Sequence, residues 1–196
     1  MPRLYRRKKT TLMASDELFM DKYRVPSARA PWHKYDGGHY FITICTKDKI
    51  HYFGHIENDT MTLSAIGKIV DGVLQETSCH QSFAQIVSYV VMPNHIHFIL
   101  NIDTQLLPEN MLDDVSTPVA TVVGSIKSSV TREARKMNPD FAWQTRFYDH
   151  IIRSTQEAAM INNYIVENVG RWQMDKFFST SLAGDAACRV STVGAV

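Results

Sequence analysis

The sequence predicts an α+β domain, a ferredoxin-like sandwich with a central antiparallel sheet and an extra C-terminal helix. Segments rich in β-branched and aromatic residues alternate with segments whose apolar residues recur at helical spacing. Their order is strand, helix, strand, strand, helix, strand and helix, and the first six elements follow the βαββαβ plan of that fold. With 196 residues, 44% of them hydrophobic, the chain is long enough to bury a core of its own.

The first half of the chain supplies three strands and one helix. Residues 39–46 are β-branched and aromatic and predict the first strand, whereas residues 47–62 are rich in turn-forming residues and predict a loop. A helix is predicted from Ser64, as its N-cap, to about Ser78, because apolar residues recur there at intervals of three and four. Two strands are then predicted over residues 83–91 and 95–102, joined by a short connection.

The second half of the chain supplies the remaining strand and two helices. Thr117-Pro118 offers a cap followed by a proline at the first helical position, so a helix is predicted to begin there. Residues 141–152 predict a strand. Ser154 and Glu157 have the spacing of a capping box, which predicts a third helix running to about Asn168.

The ends of the chain differ in composition from its middle. We expect a flexible basic arm over residues 1–34, the folded domain over residues 35–180 and a frayed tail over residues 181–196. The formal net charge of +1 argues neither for nor against nucleic acid as a partner. Within the arm, however, no acidic residue precedes Asp16, and basic residues crowd its start: Arg3, Arg6, Arg7, Lys8 and Lys9. They form either an arm that contacts DNA, chiefly through residues 6–9, or a solvated tail.

Cysteine usage and hydropathy indicate a cytoplasmic protein. The three cysteines (Cys45, Cys79 and Cys188) have no CxxC spacing, so we expect reduced thiols rather than a disulfide framework or a zinc ribbon. No apolar run approaches the length of a membrane span, and we expect no membrane partner.

A pair of histidines at the start of a predicted strand is the first candidate site. Side chains of a strand alternate between its faces, so His95 and His97 lie on one face while Ile96 and Phe98 lie on the other. Same-face neighbours are separated by roughly 6.5–7 Å along a strand, close enough for both imidazoles to bind one divalent ion. Two incidental imidazoles on a solvent-facing strand are the alternative.

A tyrosine and an asparagine on the third helix are the second candidate. Tyr164 and Asn168 are four residues apart and therefore share a helical face. An amide oxygen is a suitable ligand for Mg²⁺ or Mn²⁺, and a phenol beside such an ion can attack a phosphodiester. The alternative for Tyr164 is a core aromatic between Ile161 and Ile165, and Tyr148 is a competing nucleophile.

Four ordered blocks of the chain, spanning about residues 35–172, resemble one transposase group. The histidine pair lies in YVVMPNHIHFIL, which matches a His-hydrophobic-His signature, and the tyrosine lies in WQTRFYDHIIRSTQEAAMINNYIVEN. The segments HYFITICTKDK and GSIKSSVTR also resemble segments of that group. The group is the REP-associated tyrosine transposases, within the superfamily of single-strand HUH transposases.

This resemblance implies a role for each of the candidate residues. His95, His97 and Asn168 would bind Mg²⁺ or Mn²⁺. Tyr164 would attack single-stranded DNA at a hairpin of a mobile-element or repeat end, forming a 5′-phosphotyrosine and freeing a 3′-hydroxyl. A monomer is favoured over a dimer. The group typically places a proline after the asparagine, and this chain has Val169 instead.

Further polar residues are weaker candidates. Asp149 could accept a hydrogen bond from a metal-bound imidazole, and Lys127 and Arg153 could contact DNA. His150 is expected to be structural. Two other functions remain open: a domesticated hairpin-binding regulatory protein without catalysis, and a relaxase-type nickase.

Overall fold

The computed structural model describes residues 37–112 and 117–178. The strands are β1 (Gly38–Cys45), β2 (Gly54–Glu57), β3 (Thr60–Leu63), β4 (Ala84–Val91), β5 (His95–Ile102) and β6 (Tyr148–Ile152). The α-helices are α1 (Ala65–His80), α2 (Glu109–Leu112), α3 (Pro118–Met137) and α4 (Thr155–Glu167). Short 3₁₀ helices cover Lys47–Lys49, Thr104–Leu106 and Val169–Met174. The basic arm, Cys188 and the predicted tail from residue 181 lie outside the described residues.

A four-stranded antiparallel sheet in the order β4-β5-β1-β6 forms the centre of the domain. This order is that of a βαββαβ sandwich, so the predicted fold class is confirmed. Helices α1 and α3 cover one face of the sheet, and alternate residues of the central strands fill the core beneath them. These core residues include Tyr40, Ile42 and Ile44 of β1 and Ile96 and Phe98 of β5.

The three predicted helix starts are confirmed by their caps. The side chains of Ser64, Thr117 and Ser154 each accept a hydrogen bond from the backbone N–H three residues later. Such caps satisfy N–H groups that the first helical turn leaves unpaired. The boundaries of α1, α3 and α4 follow from these caps.

Two segments differ from the prediction. Residues 54–63 form the β2–β3 hairpin rather than a loop, with Asn58 and Asp59 at its two-residue turn in left-handed conformations (φ 48° and 55°). The last sheet strand begins at Tyr148 rather than near residue 141. Phe141 instead fills the core, and Trp143 contributes only an isolated bridge to Thr46.

Helix α4 packs on the sheet face that bears the two histidines. Phe41 and Ile99 of the sheet form a second apolar cluster with Ile161 and Ile165 of α4. Because Tyr164 is the neighbour of Ile165, this packing directs α4 so that the tyrosine approaches the histidine pair. None of the described helices is long and apolar enough to cross a membrane.

Candidate active site

The two histidines lie side by side at the start of β5, a central strand of the sheet. His95 is completely buried and His97 is 1% exposed, and their ring centroids are 4.5 Å apart. Strand β5 runs between β4 and β1, so both imidazoles rise from a rigid central strand toward α4. The expectation that both side chains share one face is confirmed.

Each imidazole is held by a hydrogen bond at its Nδ1 atom. Asn94 Oδ1 lies 2.8 Å from His95 Nδ1, and Thr43 Oγ1 lies 2.8 Å from His97 Nδ1. The amide nitrogen of Asn94 donates to the carbonyls of Lys49 and Phe177, so its oxygen must face His95. His95 therefore donates through Nδ1, and its Nε2 atom carries the lone pair.

Two acceptor atoms in the site lack a hydrogen-bond donor in the described part of the chain. His95 Nε2 and Asn168 Oδ1 are both buried without a hydrogen-bond partner among the described residues. Burial and the neighbouring His97 hold the pKa of His95 well below its usual range, and burial with nearby Lys176 lowers the pKa of His97 to about 3. Both imidazoles are therefore neutral, the form that binds metal ions.

An aspartate that the sequence analysis did not identify completes the cluster. Ligand atoms of His95, His97 and Asp175 all lie within 4.8 Å of one another, so the cluster could hold a metal ion. The chain leaves α4 at Glu167, continues as the 3₁₀ helix Val169–Met174 and brings Asp175 back to the histidines. Asp175 is the only acidic residue between Glu167 and Asp185, a weak signal that could have identified it.

Tyr164 reaches the same point from α4. Its hydroxyl lies 3.4 Å from His97 Nε2 and 3.4 Å from Asp175 Oδ2. Burial, reinforced by the Asp175 carboxylate, raises the pKa of the Tyr164 phenol, and a hydrogen bond with the Asn168 side chain acts in the opposite direction. The Tyr164 and Asn168 side chains thus meet on one helical face, as predicted, and Tyr164 lies beside His97.

Phe177 covers the two imidazoles. Its ring centroid lies 4.6 Å from that of His95 and 6.0 Å from that of His97, and its carbonyl accepts the hydrogen bond from Asn94. The Lys176 ammonium lies 4.8 Å from the Phe177 ring centroid. Lys49 donates to the Lys176 carbonyl, which places a second ammonium near the site.

The weaker candidates lie away from the imidazoles. Asp149 pairs with Ile42 and so points to the α1 and α3 face of the sheet, where it cannot orient an imidazole; that expectation is wrong. Lys127 lies on α3 and donates to two backbone carbonyls of the 144–145 loop. His150 is bound to Glu157 at 2.7 Å, consistent with a structural role.

Arg153 is exposed and immediately precedes the cap of α4, where its backbone N–H donates to Glu157. The structure does not bring Arg153 or Lys127 to the imidazoles. DNA contacts by these two residues stay predictions.

Residues 34–168 match the model of the family described as "Transposase IS200 like". The matched range contains His95, His97, Tyr164 and Asn168 but ends before Asp175.

Two relatives come from Haemophilus influenzae (strain ATCC 51907 / DSM 11121 / KW20 / Rd). An uncharacterised protein is 33% identical over 156 residues, which cover 72% of this chain and 85% of the relative. A candidate REP-associated tyrosine transposase is 26% identical over 140 residues, covering 67% and 70%. A solved structure of a REP-associated tyrosine transposase bound to a REP hairpin is 19% identical, covers 84% of this chain and 92% of that one, and has a TM-score of 0.47.

Proposed function

The chain belongs to the IS200-like transposase family, and we propose that it cleaves single-stranded DNA by metal-dependent transesterification at a hairpin or repeat end. The observation that carries the proposal is the approach of the Tyr164 hydroxyl to within 3.4 Å of His97 Nε2, beside the buried and unpartnered Nε2 of His95. A nucleophile next to convergent metal ligands is the arrangement that this chemistry requires.

The proposed metal ligands fit Mg²⁺ or Mn²⁺. His95 and His97 would bind through Nε2 and Asn168 through Oδ1, and two of these three atoms are buried without a partner in the described part of the chain. Such orphaned lone pairs cost free energy unless something binds them. When bound, the ion polarises the scissile phosphate and stabilises the negative charge that develops on it.

Tyr164 is the proposed nucleophile. Its oxygen forms a bond to the phosphorus while the bond from phosphorus to the upstream 3′-oxygen breaks. The phenol loses its proton, and the departing oxygen gains one to become a 3′-hydroxyl. The downstream strand is left as a 5′-phosphotyrosine, and a second 3′-hydroxyl can reverse the exchange on another DNA end.

The remaining contacts position these groups and control access to them. Thr43 and Asn94 fix the two imidazole rings, and α4 holds Tyr164 against Phe41. Because both imidazoles are buried and Phe177 is one of the side chains that cover them, a phosphate reaches them only when covering side chains move. The proposed partner is a single-stranded DNA hairpin bound by a monomer.

A denaturing gel tests the proposal. Purified protein is incubated with labelled single-stranded oligonucleotides from both flanks of its own gene, with Mn²⁺ or with EDTA. We expect a Mn²⁺-dependent, protein-linked band that Tyr164→Phe abolishes and that His95→Ala also abolishes.

The matched control is Tyr148→Phe, because Tyr148 also packs against Phe41 and should be dispensable. An adduct that persists in Tyr164→Phe would refute the assignment of the nucleophile. Hairpin binding on a native gel without any adduct in the wild type would instead support the domesticated binding protein.

A further inference from the structure

We propose that Asp175 is a further ligand of this metal site, so that two imidazoles, an amide oxygen and a carboxylate surround the ion. The inference rests on the proposed metal-dependent function and specifies its ligand set. It adds a residue that lies beyond the range matched by the family.

The spacing of the ligand atoms supports a shared ion. Metal–ligand bonds to these donors are about 2.0–2.2 Å, so ligands on opposite sides of one ion lie roughly 4.2 Å apart. The atoms of His95, His97 and Asp175 already lie within 4.8 Å of one another. Only one pair among three ligands can lie on opposite sides of an ion. Three atoms at most 4.8 Å apart nevertheless share a point within about 2.8 Å of each, so shifts of up to about 0.7 Å would bring them into one coordination shell.

The surroundings of the carboxylate supply the second argument. Asp175 accepts hydrogen bonds from the Phe177 N–H (2.6 Å), the Tyr164 hydroxyl and the Asn168 side chain, all of them neutral donors. The half-buried carboxylate lies next to the orphaned Nε2 of His95, so one divalent cation placed between them would bind both groups.

The segment around Asp175 is fixed on both sides. Before it, Trp172 is buried and its ring contacts His51 and His95. After it, the Phe177 carbonyl accepts a hydrogen bond from Asn94. Because Asn94 also orients His95, one side chain links the position of Asp175 to that of an imidazole ligand. A ligand held in place by its neighbours binds without ordering a loop.

The carboxylate also changes the charge of the site. Two neutral imidazoles and an amide carry no net charge, whereas Asp175 adds one negative charge. A hard divalent ion such as Mn²⁺ prefers oxygen donors and gains directly from that charge.

Titration of the wild-type protein with Mn²⁺, followed by the electron paramagnetic resonance signal of free Mn²⁺, tests the inference. We expect Asp175→Asn to bind Mn²⁺ at least tenfold more weakly. Asp140→Asn, the same change at an exposed aspartate, should bind as the wild type does. Equal or tighter binding by Asp175→Asn would overturn the inference and leave the histidine site standing. A wild type that binds no Mn²⁺ would overturn the metal site as a whole.

A second variant keeps the test decisive if Asp175→Asn folds poorly. Asp175→Cys replaces a hard oxygen with a soft thiolate, so the ratio of Cd²⁺ to Mn²⁺ affinity should rise at least tenfold above that of the wild type and of Asp140→Cys. Melting in EDTA reports the fold of each variant separately. An unchanged ratio in folded Asp175→Cys would overturn the inference, because a purely structural aspartate would not set metal preference.

Discussion

Replacing Thr43 by valine isolates the hydrogen bond that orients His97. Thr43 lies opposite His97 in the register of β1 and β5, is 4% exposed, and holds His97 Nδ1 at 2.8 Å. Valine has nearly the same shape and suits a strand, so it removes the hydroxyl without opening a cavity. The variant therefore changes the orientation and protonation of one imidazole rather than the core.

The structure sets the size of the expected effect. If Nδ1 keeps its proton, a buried N–H loses its partner at a cost of about 1–3 kcal/mol. If the proton moves to Nε2, that cost is avoided, but the lone pair that would bind the ion is lost. In either case we expect Mn²⁺ affinity to fall roughly 10- to 100-fold, the usual effect of removing such an orienting group.

The assay is the same Mn²⁺ titration, combined with the rate of adduct formation. Thr43→Ser keeps an oxygen near Nδ1 and should retain most of the affinity. Thr77→Val is the matched control, because Thr77 is also buried but its hydroxyl donates to the Val73 carbonyl within α1. If Thr43→Val bound Mn²⁺ as tightly as Thr77→Val, the argument that Thr43 orients a ligand would be wrong.

Three further predictions concern stability and DNA binding. Gly67→Ala should lower the free energy of unfolding by at least about 2 kcal/mol, because the added methyl group would collide with the Phe53 carbonyl. Gly72→Ala on the same helix meets open space and should raise the free energy of unfolding by up to about 1 kcal/mol. Urea unfolding of both variants measures the difference. Glu157→Gln should lower Tm at pH 7, and the difference from the wild type should disappear on acidification. Despite burial, hydrogen bonds from the Arg153 N–H and His150 hold the pKa of Glu157 below its usual value. The carboxylate therefore stabilises the fold above the unfolded-state pKa and loses that effect as the pH falls through the folded-state pKa. Neutralising the four basic residues at positions 6–9 should flatten the slope of log affinity against log salt by up to about 3 if all four contact phosphates, and an unchanged slope would identify a solvated tail.

Local patterns in the sequence predicted most of the fold. Caps and apolar spacing located α1, α3 and α4, and the order of elements was enough to predict the sheet. The β2–β3 hairpin was missed because its four-residue strands are short and its turn residues, Asn58 and Asp59, are equally typical of a loop. The aromatic residues Phe141 and Trp143 are typical of a strand and predicted one, but in the structure their rings pack against Phe53 in the core.

The candidate site was predictable where its geometry is local. The spacing of His95 and His97 along a strand, and of Tyr164 and Asn168 along a helix, requires only the repeat of each element. The groups that orient or complete the site depend on tertiary structure. The register between β1 and β5 places Thr43 beside His97. The hydrogen bonds of the Asn94 amide nitrogen turn its oxygen toward His95, and the 3₁₀ helix after α4 brings Asp175 to the histidines. The repeat of a helix or of a strand therefore predicts none of these three contacts.

Val169 lies where the chain passes from α4 into the 3₁₀ helix that leads to Asp175. A proline there would disfavour the α conformation of the preceding residue, yet Asn168 has φ −61° and ψ −38°. With Val169, Asn168 keeps that conformation and the chain continues directly into the 3₁₀ helix that ends at Met174. The next residue is Asp175, so the departure from the usual Tyr-Ile-x-x-Asn-Pro pattern coincides with the helix that carries a carboxylate to the imidazoles. We therefore interpret Val169 and Asp175 as parts of one feature, in which the backbone after Asn168 brings to the histidines a carboxylate that α4 itself does not carry.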